Sequence, residues 1–379
     1  MRPGAKRILG LLLGLAPVGA ASARVVPVNS TAGLIAAIGA ARPGDEIVLA
    51  DGLYELHGGH GVNCMNAGTA AAPIIVRAVW PLGARIESSA VEAFSVSAPN
   101  WRFVGLDIRG VCPDDAACEH AFHVVGRATG FQLLRNRIAD FNAHLKVNAD
   151  AEHNQPNGGL VAGNEMLETH PRRTPGSVTP VDIDVADDWI VRDNLIRDFH
   201  KTLGNQVSYG AFAKGGSRRP TFERNVVLCA DRDTTGGARV GLSFGGGGMD
   251  PALCAPAWNA AVACDPEVEG GIMRSNIVAN CSDDGIYLNR ARDTKLLYNT
   301  LIATQGIAFR YASSTGEAKG NVLSSKIRTR DGGSFVGGDN LTDVSLAQFA
   351  AWYQDPIHGD LRPKGSPGQL TGNGEKSVP

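Results

Sequence analysis

Six residues on four short segments of this sequence have types and spacings that can do chemistry: His123, Lys146 and Asn148, Asp182 and Asp184, and Lys214. Residues two apart on a β-strand point to the same side. Lys146-x-Asn148 and Asp182-x-Asp184 would therefore each present a polar pair on one face. Adjacent strands lie about 4.8 Å apart, so stacking the four segments would gather all six side chains into one patch. Tyr287, Asn289 and Arg310 fall further along the same face, roughly 15 Å from Lys214 by that spacing. Such a strip suits an extended polymer laid across the strands. Arg172-Arg173, in the stretch before Asp182, offers guanidinium groups for substrate carboxylates. The competing reading of the same patch is a salt-bridged, solvated face.

A repeat positions these residues. Asn136, Asn164, Asn194, Asn225, Asn276, Asn299 and Asn321 each close a short apolar run and open another. A recurring period of this kind is the mark of stacked coils. The expected fold is all-β: a single-stranded right-handed parallel β-helix. In each coil the opening strand should turn an apolar column inward, from Phe122 and Val124 to Ile307 and Phe309. The repeat Asn residues should lie inside at the turns, bonding along a ladder. Ser30-Thr31 should cap a short helix, Ala32 to Ala41, that plugs the first coil. The expected organisation is a leader over 1–23, a β-helix domain over 24–345, and a C-terminal cap and tail over 346–379.

The leader reading rests on basic Arg2, Lys6 and Arg7, the apolar run ILGLLLGLAPVGA, and Ala21-Ser22-Ala23 as a cleavage site. It implies a secreted or periplasmic protein. No other stretch is apolar enough to span a membrane. Loss of the three basic residues takes the net charge from −2 to −5. With scattered charge, that excludes an electrostatic footprint for nucleic acid. A monomer is expected. Seven cysteines in an exported chain invite disulfides: Cys112 with Cys118, Cys254 with Cys264, and Cys229 with Cys281 on neighbouring coils, leaving Cys64. Surface or loop roles are expected for His57, His60 and His120, either a turn filler or a site residue for His144, and an Asx turn for Asp283-Asp284-Gly285.

The segments ARPGDEIVLADGLYE, PIIVRAVWPLGARI and WRFVGLDIRG resemble the first coils of secreted polysaccharide lyases of the chondroitinase B and alginate lyase family. The tail GDLRPKGSPG is similar to their ends, and the resemblance spans most of residues 26–368. It implies a calcium ion held by an Asn on one coil and an acidic pair on the next, here Asn148, Asp182 and Asp184. It also implies a Lys base with an Arg nearby, acting on an acidic polysaccharide by β-elimination. In that family the Lys follows the acidic pair, where this chain reads Ala186-Asp187-Asp188-Trp189. Lys214, one coil later, is the first choice for the base and Lys146 the second. Arg239 and Arg310 are the nearest arginines, and His123 is a further proton donor or substrate contact. Two other functions fit the same face. One is a glycoside hydrolase using paired carboxylates, such as Asp182 with Asp184 or Asp283 with Asp284. The other is a carbohydrate-binding or adhesive β-helix without catalysis.

Overall fold

A computed structural model describes residues 23–246 and 249–365. The expected leader and the end of the tail fall outside these residues, apart from Ala23. Three long parallel sheets run along the molecule. One has twelve strands, from Val25–Val28 to Val336–Gly338; a second has ten, from Gly52–Leu56 to Val322–Leu323. The third, called the site sheet below, has ten strands from His60–Cys64 to Lys326–Arg330. Each coil contributes a strand to the three sheets in turn, which makes the chain a parallel β-helix.

The interior follows from period-two alternation. Phe122, Leu145, Val181, Ala211, Leu242, Ile286 and Ile307 pair in register across seven strands of the site sheet. All seven are fully buried. Burying such a side chain contributes about 1.5–3 kcal/mol for the larger apolar types. Near the first coils, Phe94, Phe103, Phe122 and Phe131 stack with ring centroids 4.8–6.0 Å apart.

The Asn repeat forms a ladder at one interior corner. Asn225 illustrates a rung: its Nδ2 donates to Val191 O at 2.9 Å and to Asn276 Oδ1 at 3.0 Å. Its Oδ1 in turn accepts from the backbone and amide of Asn194. The ladder continues beyond the seven expected rungs to Asn340, which accepts from Asn321. The residue before every rung has a left-handed backbone, including Arg135, Asp193, Arg224, Ser275, Tyr298 and Asp339 at φ 52° to 56°. Each coil therefore turns sharply just before its Asn.

The helix Thr31–Gly39 is capped by Ser30 Oγ, which accepts from Gly33 N at 3.2 Å. It buries Leu34 and Ile38 against the first strands of all three sheets, closing that end. The tail behaves differently from a simple end plug. Phe349 and Tyr353, from the helix Leu346–Trp352 and the strand after it, pack on Leu228, Ala279, Ile302 and Val322. The tail thus lies along the flank of the last coils. All three expected disulfides form, and Cys64 is free and buried.

Candidate functional site

The outer face of the site sheet has the expected register. His123, Lys146, Asp182, Phe212, Ser243, Tyr287, Ala308 and Arg328 form one row on successive strands. A second row pairs Asp184 with Lys214 and, two strands further on, Asn289 with Arg310 and Arg330. Loop residues including Asn142, Thr174, Pro175 and Ser177 wall a cleft of about 420 Å³. His120, Lys146 and Asp182 also line it. A larger hollow of about 590 Å³ lies against the Cys254–Cys264 loop, with the rings of His153 and Trp258 stacked 4.2 Å apart. It contains none of the residues of the polar rows, so volume alone does not locate the chemistry.

Lys146 occupies the centre of the patch. Its Nζ lies 2.9 Å from Asp182 Oδ1 and 2.5 Å from Asp184 Oδ2. Both carboxylates are buried, at 4% and 6% exposure. Burial favours the neutral amine, but the charges and hydrogen bonds of the two carboxylates outweigh it and hold Lys146 charged. Burial, then the charge of Asp182, raises the Asp184 carboxyl despite the opposing lysines. Held charged in this way, Lys146 is a poorer base than Lys214, which weighs against the second choice made from sequence. Lys214 is freer. Its Nζ is 3.6 Å from Asp184 Oδ1 and 4.6 Å from the Phe212 ring centroid.

His123 is fixed on both nitrogens. Its Nε2 is 2.7 Å from Asn148 Oδ1, and its Nδ1 is 2.7 Å from Glu92 Oε1. Burial lowers the His123 pKa, but Glu92 and Asn148 outweigh it and the net shift is upward. Burial likewise raises Glu92, and His120 and His123 reverse this to leave it well below the usual carboxylate range. The sequence reading missed Glu92. Its signal was register, since Glu92 pairs with His120 one coil on.

The calcium implied by the resemblance does not fit this arrangement. Asp182 and Asp184 converge on the Lys146 ammonium, and Asn148 Oδ1 is taken by His123. The positive charge between the carboxylates is built into the chain.

Other expected residues divide between site and scaffold. Arg310 donates to Tyr287 Oη at 3.1 Å, and Asn289 Nδ2 donates to the same oxygen at 3.3 Å. Tyr287 and Asn289 are buried at 8% and 5% exposure, so they support Arg310 from below. Arg172 is not a substrate-binding group. It is 2% exposed and is held by Asp115, Asn142 and Glu168. Arg173 is exposed, and its backbone N–H donates to Asp115. Arg239 is buried among the carbonyls of Cys229, Asp233 and Thr235. Asp284 pairs with Arg328, and burial pushes its carboxyl up to about 6. His144 is fully buried against Glu168, at 3.1 Å.

Comparison with solved structures agrees with this fold. Pectate lyase Pel9A superposes with a TM-score of 0.58 at 15% identity, over 90% of this chain and 84% of its own. An alginate lyase from Paenibacillus sp. str. FPU-7 gives 0.43 at 14% identity, over 84% of this chain and 99% of its own. A PL6-family polysaccharide lyase from Pseudopedobacter saltans gives 0.42 at 12%, over 90% and 97%. These structural neighbours are polysaccharide lyases with a parallel β-helix fold. No family model and no curated protein matches the sequence. Among the described residues, no helix is long and apolar enough to cross a membrane.

Proposed function

We propose that this chain is an exported polysaccharide lyase that cleaves a uronic-acid-containing polymer by β-elimination, with Lys214 as the base. The observation that supports this most directly is the contrast between the two lysines of the patch. Lys146 is gripped by two carboxylates, whereas Lys214 has one loose ion pair and the face of Phe212, on an outer row that continues to Arg310. In the reaction the base removes the proton from C5 of a uronate. The electron pair forms the C4–C5 double bond, the C4–O4 bond breaks, and O4 leaves with a proton from solvent. A fixed positive charge beside the uronate carboxylate stabilises the enolate-like transition state. The candidate for it is the part of the Lys146 ammonium not spent on Asp182 and Asp184, and Arg310 would hold the polymer further along. Export is supported by the three disulfides, which persist in oxidising compartments.

The hydrolase reading requires one carboxylic acid and one carboxylate free to act. Asp182 and Asp184 are both engaged by Lys146, and Asp284 of the other pair is engaged by Arg328, which argues against it. The test is a panel of uronic-acid polymers assayed for the ultraviolet absorbance of the new double bond and for new reducing ends. Both signals are expected on at least one polymer. Lys214→Ala should lower the rate by about 10²–10⁴-fold, the usual contribution of a positioned base. Reducing ends without absorbance would transfer the protein to the hydrolases. Neither signal on any polymer would leave a carbohydrate-binding face.

A further inference from the structure

Beside the Lys146 patch, on the first strands of the site sheet, lies a second cluster that the elimination chemistry does not use. Glu92 opens the strand Glu92–Val96, and His120 and His123 belong to the next, His120–Val125. One ligand atom from each of the three lies within 4.8 Å of the others. The Nδ1 atoms of His123 and His120 are 2.7 and 3.6 Å from the same oxygen, Glu92 Oε1. From the strand before, His60 brings its Nδ1 within 4.0 Å of Glu92 Oε2, in register with Glu92 and His120.

Two details distinguish this cluster from an ordinary ion pair. His120 Nδ1 is buried and has no hydrogen-bond partner, although it is aimed at the carboxylate. The orientation of His123 is set from behind. Asn148 Nδ2 donates to Ala149 O at 2.8 Å, which leaves Asn148 Oδ1 as an acceptor facing His123 Nε2. Nε2 therefore carries a hydrogen, and Nδ1 faces the carboxylate 2.7 Å away, where either a proton or a metal ion can bridge the two. A histidine whose far nitrogen donates to a carbonyl while its near nitrogen faces a carboxylate has the second-shell arrangement of a metal ligand.

We propose that Glu92, His120 and His123 form a binding site for a divalent transition metal, zinc in the first instance. Two imidazoles and a carboxylate with an open fourth position are a zinc ligand set of the catalytic type. Ligand atoms about 2.1 Å from zinc in tetrahedral geometry lie roughly 3.4 Å from one another. The observed contacts of 2.7 and 3.6 Å bracket that value, and the third pair lies within 4.8 Å, so local side-chain adjustment suffices. His60, largely exposed, is free to swing in as the fourth ligand or to leave the position to water. His120 also lines the cleft that holds Lys146 and Asp182. Under the lyase reading, on which only this last step rests, the ion would add positive charge where a uronate carboxylate would lie.

The experiment is titration of the metal-free full chain with zinc alone, by calorimetry and by competition with a chromophoric chelator. One equivalent should bind. Glu92→Gln and His123→Ala should each weaken binding by at least tenfold. Asn148→Ala, which removes only the orienting group, should weaken it by about 10–100-fold. His120→Ala deletes no hydrogen bond to Nδ1 and should fold like the parent, so it keeps the test decisive if another variant fails to fold. His358→Ala, at an exposed histidine of the tail, should change nothing. The site is overturned if no equivalent binds at millimolar zinc. It is also overturned if His120→Ala and Glu92→Gln both bind like the parent. Because binding is read without substrate, failure here leaves the lyase assay standing, and failure of that assay leaves the metal site standing.

Discussion

A lysine held between two carboxylates spaced i and i+2 is an internal substitute for a divalent cation. Lys146 satisfies Asp182 and Asp184 together, and both are buried, so removing its charge leaves two adjacent carboxylates with only the looser contact of Lys214 to Asp184. Breaking a buried pair in this way costs about 3–5 kcal/mol. Lys146→Met should therefore lower the melting temperature sharply. It should also free the oxygens of Asp182 and Asp184 for a hard cation that prefers such ligands. Millimolar calcium should then restore part of the lost stability, by about 2.7 kcal/mol at a hundredfold excess over its dissociation constant. The parent melting temperature should not respond to calcium. A variant whose melting temperature ignores calcium would show that the carboxylate pair is not a cation site in disguise.

At the scale of the element, the corner of each coil combines a cost with a gain. A left-handed backbone costs a residue with a side chain roughly 1–2 kcal/mol, and Ser275 carries it at φ 54°. The next residue offsets it. Asn276 is fully buried, donates to Phe222 O and Asn299 Oδ1, and accepts from Asn225. Asn276→Ala would strand several of these partners and should destabilise the protein by about 3 kcal/mol in denaturant titration. Ser275→Gly relieves the backbone but adds freedom to the unfolded chain, so a gain of only about 0.5 kcal/mol is expected. Equal and opposite effects would refute this division of roles. The ladder was legible in the sequence because a buried amide recurs with the coil. The left-handed residue before it was not, since Arg, Asp, Ser, Tyr and Gly all occupy that position and share no chemistry.

For the whole molecule, alternation and register made the sheet and its outer row readable, because every slip would have turned Phe122 or Leu145 outward. What register leaves open is where long side chains end. Lys146 bends onto the neighbouring coil, Glu92 reaches His123, and Arg172 folds beneath a loop, none of which spacing specifies. His144 and Glu168 are a further example, and they shape the pH dependence of the entire fold. Both are fully buried. Burial lowers His144 from 6.5 to about 3 and raises Glu168 well above 4.5. Near pH 5.5 the unfolded pair binds one proton, on histidine, and the folded pair also binds one, on glutamate. The pair therefore contributes no slope between about pH 4.5 and 6.5. Below that range the unfolded state takes a second proton that the folded state refuses, and stability falls. Above it the unfolded state has lost its proton, and stability falls with rising pH over whatever span folded Glu168, raised by burial against the pull of Arg172, still holds its own. The acid limb should approach about 1.4 kcal/mol per pH unit. Glu168→Gln leaves only His144, whose lowered pKa makes stability full above 6.5 and lost as pH falls below it. Calorimetric melting across pH 4–9 should show a plateau for the parent. For the variant the alkaline limb should vanish and the acid limb should begin near 6.5. A variant profile parallel to the parent's would mean that the buried proton resides elsewhere.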